Sequence, residues 1–414
     1  MALRVAIVGG GYAGMAAAVT LSEAGSAVTV FEAGPVLGGR ARRIRISSGG
    51  HGHEIDNGQH ILAGAYTELF GLMRTVGVPA DALLRLPFEI RYASGFRLRS
   101  RWLPQPLGLA LGVLLAKGIP FSERRGAIGF LRAVKAARFA IGSDMTVKQL
   151  LREHAQDGCI GRYLWAPLCV AALNTPPEQA AAGVFLAVLR DTLAGGAGTS
   201  DLLLPRCDLS QLFPEPAAEF VRSRGADVRL RAPVTDISEL KRAFDAVIVA
   251  VGPHQLKPLL PGAAPEYGYQ PIYTCYLQYE ERVRLPFPML GLSGGLAQWV
   301  FDRGALLGER GRLACVISAE GAHQDMSLEA LCERCHAELV EVLPNLGRPL
   351  WSRAIAEKRA TIACVPGLAR PSIETPYPEV FLAGDYTDPE YPPTLEAAVR
   401  SGLRAARRVL EVAQ

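Results

Sequence analysis

With 414 residues, 49% of them hydrophobic and 20% charged, the chain is long enough to bury two cores and too apolar for a disordered protein. A net charge of +4 argues against a nucleic-acid binder, although the balance is uneven: Arg91, Arg97, Arg99, Arg101, Lys117, Arg124, Arg125, Arg132, Lys135 and Arg138 face a single acid, Glu123, across 91–138. Arg4 is the only early charge and the apolar run after it reads as a strand, so no signal peptide is expected and a cytoplasmic location is. The eight cysteines are then read as reduced, buried thiols.

Val5 to Val8 predict a strand that runs into Gly9-Gly10-Gly11-Tyr12-Ala13-Gly14. Ala17, Leu21 and Ala24 then recur at helical spacing, and Ala27 to Phe31 predict a second strand ending on Glu32. A glycine-rich turn between strand and helix, with an acid about twenty residues on, is the dinucleotide-binding fingerprint. Gly9 permits the tight turn, Gly11 has no Cβ to hold the backbone away from a pyrophosphate, and Gly14 lets helix and strand pack closely. The helix start at Tyr12 and Ala13 offers free N–H groups and a positive dipole end to phosphates. Glu32, followed by Ala33, places a carboxylate where it accepts both ribose hydroxyls and repels a 2′-phosphate.

Gly38-Gly39-Arg40 comes within the next turn, and the pattern Glu-x(5)-Gly-Gly-Arg resembles the motif of flavoproteins of the amine oxidase and phytoene desaturase type. That resemblance favours FAD over NAD, with the Arg40 guanidinium answering the pyrophosphate. It also implies that Ile55 to His60 returns to the flavin, so that Asp56, His60 and the Gly58 backbone are candidates for groups near the reacting atoms and Gly58 and Gln59 bind the cofactor. His51, His53 and His60 fall within ten positions, but no histidine pair or second carboxylate with ligand spacing follows, and no metal is expected.

Trp102 to Phe121 contains an uncharged run, Pro106 to Ala116, that is too short to span a bilayer and is broken by Pro104, Pro106 and Gly108. It reads either as a buried core helix or as an apolar element that dips into the membrane surface while the surrounding basic residues meet anionic headgroups. Thr146 to Leu193 is helical in pattern, a substrate domain inserted into the nucleotide fold. Leu202 to Phe213 reads as strand and turn, Pro214 to Arg224 as a helix, and Asp227 to Leu230, Val234 and Ala246 to Val251 as a return to strands. In the resembling flavoproteins a valine placed like Val234 contacts adenine through its backbone.

Tyr269 to Tyr279 and Ala314 to Ala319 predict a second sheet, and the apolar, glycine-rich Pro286 to Trp299 between them is a candidate pocket lining. Cys332-Glu333-Arg334-Cys335-His336 matches a c-type haem attachment pattern. However, Leu328, Leu331, Cys332, Cys335 and Leu339 share one helical face, so both thiols are expected inside and no haem is read. Val380 to Ala383 predict a strand entering Gly384-Asp385, and Pro392-Pro393-Thr394 leads into a helix from Leu395. By resemblance Gly384 and Asp385 hold the ribityl or pyrophosphate, and the helix start at Thr394 and Leu395 faces the flavin ring.

Asp56-Asn57-Gly58-Gln59-His60-Ile61-Leu62, Leu164-Trp165-Ala166-Pro167-Leu168-Cys169, Ala172-Leu173-Asn174-Thr175-Pro176 and Ser200 to Arg206 are the specific parts of a near full-length similarity. The chain resembles the squalene-associated FAD-dependent desaturase family, in particular its hydroxysqualene dehydroxylases. The resemblance implies an α/β fold: a Rossmann-type FAD-binding domain assembled from 1–75, 200–260 and 365–414, and an α+β substrate-binding domain from 76–199 and 261–364. It implies reductive removal of the allylic hydroxyl of hydroxysqualene, a triterpene alcohol, in hopanoid or triterpene synthesis, with an electron donor that the residues do not identify. A leaving hydroxyl needs an acid, for which Asp56, His60 and Asp385 are candidates ahead of Tyr386, while Trp165 and Trp299 are candidate aromatic faces for a developing cation. Carotenoid-type desaturation, porphyrinogen oxidation and a non-enzymatic prenyl-lipid escort are the alternatives on the same fold. The membrane contact through 102–121 is expected to be peripheral, at the inner face.

Overall fold

A computed structural model describes residues 2–48, 51–100, 103, 107–142, 144–193 and 195–413. Trp102 and 104–106, part of the expected membrane element, lie outside the described residues.

A five-stranded parallel sheet runs, edge to edge, through Asp227–Arg229, Ala27–Phe31, Arg4–Val8, Ala246–Val249 and Val380–Leu382. The middle strands are apolar on both faces because helices cover both, which is why Val5 to Val8 read as a continuous apolar run. On one face the first helix, Tyr12–Glu23, is almost wholly buried beneath the last, Leu395–Val412. Their contact is backbone-close: a Cβ built on Gly402 would stand 2.1 Å from the Ala13 carbonyl oxygen.

A second five-stranded sheet is antiparallel, in the order Met289–Gly291, Trp299–Asp302, Arg312–Ser318, Tyr269–Gln278 and Trp351–Ile362. The long strand Tyr269–Gln278 alternates between two interiors, as a period of two requires. Tyr276 joins the apolar core shared with Ile55, Trp165 and Trp299, whereas Cys275 and Leu277 point to the opposite core under the helix Leu328–Val342. Cys332 and Cys335 face that core, 3% and 0% exposed, as the helical spacing predicts.

The inserted helices bury one face of the antiparallel sheet, the face that carries Tyr276, Trp299 and Val316. Asn174, the left-handed residue that ends the helix Ala166–Leu173, donates to the Gln270 and Pro271 carbonyls and to Thr361, and accepts the Ala319 N–H at 2.8 Å. One side chain thereby ties the helical insert to three parts of the antiparallel sheet. The apolar, glycine-rich stretch before Trp299 contributes Gly295 and Leu296 to a cleft of about 380 Å³, on the side of the sheet that carries the Leu328–Val342 helix.

Candidate active site

Two glycine turns meet at the carboxyl ends of the parallel strands. Gly11 and Gly38 form an isolated parallel bridge, and the Gly38 N–H donates to the Gly10 carbonyl at 3.0 Å. The expected division of labour among the glycines is visible as space. Gly9 has φ +109°, and a Cβ on Gly14 would stand 1.9 Å from the Gly9 oxygen. Over Gly11, by contrast, nothing comes closer than the Gly39 Cα at 3.7 Å. The two turns pack backbone to backbone at the helix start with no side chain on Gly11, Gly38 or Gly39 to cover its N–H groups, so the residues fit the phosphate-bearing part of a dinucleotide.

Glu32 ends the neighbouring strand with its carboxylate turned back on the turn, accepting the Gly10 N–H at Oε2 and the Gly34 N–H at Oε1, each at 2.7 Å. Ala33 lies between, and backbone bonds from Arg231 to Gly34 and from Ala232 to Glu32 bring the 231–234 segment alongside. Val234 is in that segment as half-buried coil, not strand. Tyr12 turns its ring inward: its hydroxyl donates to the Leu209 carbonyl at 2.8 Å and the ring packs on Phe213, so only its backbone faces the cradle.

The N-terminal and C-terminal motifs are joined by one ion pair. Arg40 places Nη2 2.6 Å from Asp385 Oδ1 and donates through Nη1 to the Ala360 carbonyl. Gly384 has φ +154° and donates its N–H to Ser401 of the last helix. Thr394 caps that helix, its hydroxyl accepting the Ala397 N–H, so the N–H groups from Leu395 onward begin at the same end of the sheet.

The 56–60 segment lies across this cradle. Asn57 donates to the Arg40 carbonyl at 3.1 Å and to Glu357 at 3.0 Å. Tyr276 donates to the Asp56 carbonyl at 2.9 Å. Asp56, 3% exposed, uses one carboxylate oxygen on the Leu209 N–H at 2.9 Å and the other on Arg303 at 3.2 Å. Burial pushes its carboxyl above the ordinary range, while Arg303 and the Leu209 N–H pull it back. Gln59 is held by the same Arg303 at 3.1 Å. His60 is half-buried, with Nδ1 3.0 Å from the Gly58 carbonyl, which makes Nδ1 the protonated nitrogen of the neutral ring. Burial lowers its pKa, with the Gly58 carbonyl opposing and Arg40 assisting, so the imidazole is neutral at rest.

Arg303 is the residue that sequence reasoning missed. It is 1% exposed, forked onto Glu309 at 2.6 and 3.1 Å, bonded to Asp56 and Gln59, and set over the Tyr276 ring. No local pattern marks it, since its partner Asp56 is 247 positions away in the chain. Beyond it a polar cleft of about 230 Å³ opens among Asp208, Gln211, Arg206 and Glu309.

The two tryptophans share the apolar core with Ile55 but stand apart from the polar segment. Trp165 donates its indole N–H to Gln156 at 3.0 Å and packs edge-on against Phe130, and Trp299 packs on Tyr92. Tyr386, fully buried, lies against Gly384, its neighbour in the chain.

Two sheets of this construction, joined by a cradle for a dinucleotide, define a class. The model of the flavin-containing amine oxidoreductases matches residues 12–410, and the chain belongs to that family, whose cofactor is FAD. It is 30% identical to the hydroxysqualene dehydroxylase of Rhodopseudomonas palustris across 99% of both chains, and 30% identical to that of Sinorhizobium fredii across 98% of both. Among solved structures, the cyclohexylamine oxidase of Brevibacterium oxydans superposes over 100% of both chains with a TM-score of 0.69 at 17% identity, a likeness of fold.

Proposed function

We propose that this flavoenzyme removes the allylic hydroxyl of hydroxysqualene reductively, giving squalene and water. The observation that carries the reading is the full-length similarity to hydroxysqualene dehydroxylases at 27–30% identity. Glu32, Ala33 and the Val234 segment hold the adenosine. Gly9, Gly11, Tyr12, Ala13 and Gly14 carry the pyrophosphate through their backbone, with Gly39, Arg40, Gly384 and Asp385. Gly58, Gln59, Thr394 and Leu395 border the ring. When bound and reduced, FAD supplies the hydride for the allylic carbon.

The chain must then supply one proton to the departing oxygen and a dry space in which the C–O bond breaks. Asp56 has both carboxylate oxygens engaged, and we assign it to fixing the 56–60 segment and Arg303. His60 has no hydrogen bond to Nε2 among the described residues and is the group we assign to deliver the proton, after taking one up from water. Asp385, paired with Arg40, serves the cofactor. Trp165 and Trp299 shape the apolar wall.

The substrate is a lipid alcohol, and Leu107, Leu115 and Phe121 are 63%, 50% and 62% exposed beside the exposed Lys117, Arg125, Arg132 and Lys135. We assign this face to an anionic membrane surface. No helix among the described residues is long and apolar enough to cross a bilayer, so the contact is peripheral.

The test is anaerobic. The holoenzyme is reduced, hydroxysqualene is added, and flavin absorbance is followed while the lipid is extracted. Reoxidation with one squalene formed per flavin is the expected result. A reduced flavin that ignores hydroxysqualene but whose oxidised form dehydrogenates a carotenoid precursor replaces this reading with the desaturase one.

A further inference from the structure

Thr274 and Tyr276 are two residues apart on the strand Tyr269–Gln278, so their side chains leave the same face of the sheet, the one turned to the 56–60 segment. Tyr276 uses its hydroxyl on the Asp56 carbonyl. Thr274 is 0% exposed, yet its Oγ1 has no hydrogen-bond partner among the described residues. The large majority of buried hydroxyls are paired, and a valine would fill the same volume on a strand without leaving a polar atom unmet.

The surroundings show where its partner belongs. A Cβ built on Gly58 would stand 3.8 Å from Thr274 Oγ1 and 3.9 Å from His60 Cε1, the only non-neighbouring atoms within 4 Å among the described residues. An added group is thus accommodated over Gly58 at ordinary contact distance, with a hydroxyl on one side and an imidazole on the other. Protein–protein contacts satisfy the polar groups immediately around it, on Asp56, Asn57, Gln59 and Tyr276. On this rim the Thr274 hydroxyl and the Nε2 of His60 are left for a ligand, and of the two only the hydroxyl is fully buried.

We propose that the Thr274 hydroxyl is the hydrogen bond that the antiparallel sheet gives to the isoalloxazine ring of FAD, at a ring nitrogen or carbonyl oxygen on the edge that passes over Gly58. This rests on the placement of the ring against Gly58 given above. A hydroxyl suits such a position because it both donates and accepts, so it keeps its bond when a ring nitrogen changes from acceptor to donor on reduction. A main-chain N–H or a lysine ammonium donates only.

The test compares Thr274→Val, Thr274→Ser and His60→Gln as purified holoenzymes, reading the visible flavin band, the two-electron reduction potential and the FAD dissociation constant. Thr274→Val is expected to shift the band and the potential and to loosen FAD by roughly three- to tenfold, the worth of one hydrogen bond. Thr274→Ser is expected to stay near the parent. The apo form of Thr274→Val is expected to melt no lower than the parent, since it loses only an unpaired hydroxyl. Thr274→Val flavin properties equal to the parent, while His60→Gln shifts them, overturn the assignment and leave the ring's placement standing. Silence from both variants overturns the assignment together with that placement. A Thr274→Val enzyme with unchanged flavin but weakened hydroxysqualene binding also overturns it, moving the hydroxyl to the substrate.

Discussion

The nucleotide cradle and the 56–60 segment are built on opposite principles. The cradle is shaped by missing side chains: Gly9, Gly11, Gly14 and Gly402 bring backbones to distances that a single Cβ would prohibit or leave a surface bare. The 56–60 segment is shaped by side chains that are present and paired, with the buried Arg303 holding the buried Asp56 and the half-buried Gln59 and Glu309. Damage to the first should empty the enzyme of its cofactor. Damage to the second should weaken the fold and the chemistry while the adenosine end still binds.

Arg303→Met makes the sharpest test of that division. It strips a buried carboxylate and Gln59 of their cation, a loss of about 3–5 kcal/mol when one partner of a buried pair is removed. Denaturant unfolding should show that loss while flavin remains in the folded fraction, and full FAD loss at parental stability would erase the distinction. Gly14→Ala should do the reverse. Its Cβ meets the Gly9 oxygen at 1.9 Å, so the turn must move, at about 1–3 kcal/mol for an overpacked site, and the protein should purify colourless.

Smaller effects sharpen the picture within each region. Glu32→Ala removes the acceptor of two backbone N–H groups and should weaken FAD by roughly tenfold in equilibrium dialysis, a charged hydrogen bond being worth about 1.5–3 kcal/mol. His60 gives a pH signature. Its pKa lies below the 6.5 of a free imidazole, so the protonated ring is scarce at neutrality and turnover should rise as pH falls toward that lowered value. The profile should flatten in His60→Gln, and an unchanged profile would remove His60 as proton source. Leu115→Glu with Phe121→Glu should leave FAD and stability near the parent but reduce cosedimentation with anionic vesicles, neutral vesicles serving as reference.

The same contrast explains how far the residues alone could be read. Gly9 to Gly14, Glu32 and Gly38 to Arg40 are short-range patterns whose spacing is itself the geometry, so the parallel sheet and the glycine turns at its carboxyl ends were legible in the residues alone. So was the inward face of Cys332 and Cys335, because a helical period reports burial directly. What stayed hidden depends on which distant residues the two sheets bring together. Asp56 read as a candidate acid because its sequence neighbourhood does not mention Arg303, and Arg40 read as a pyrophosphate group without its bond to Asp385, 345 positions on. Val234 was expected near a strand. It lies in coil, held by backbone bonds of Arg231 and Ala232 that apolar patterning does not encode. Thr274 carried no signal at all, since a threonine in a strand is unremarkable until its hydroxyl is found alone.

The close seat of Gly402 on the Ala13 carbonyl has a consequence in time. Synthesis delivers the first strand and helix at once, but the helix that covers them, and the strand Val380–Leu382 that completes their sheet, arrive only after nearly all the remaining chain has been made. Until then the part of Tyr12–Glu23 that Leu395–Val412 covers stays open, with the segment around 213–221 already able to pack on the helix, and the inserted helices and the antiparallel sheet have the chance to form first. The parallel sheet and its helical cover are therefore completed at the end of synthesis. A growing chain on the ribosome carries the full glycine fingerprint and Arg40 long before it carries Asp385, the partner of that arginine.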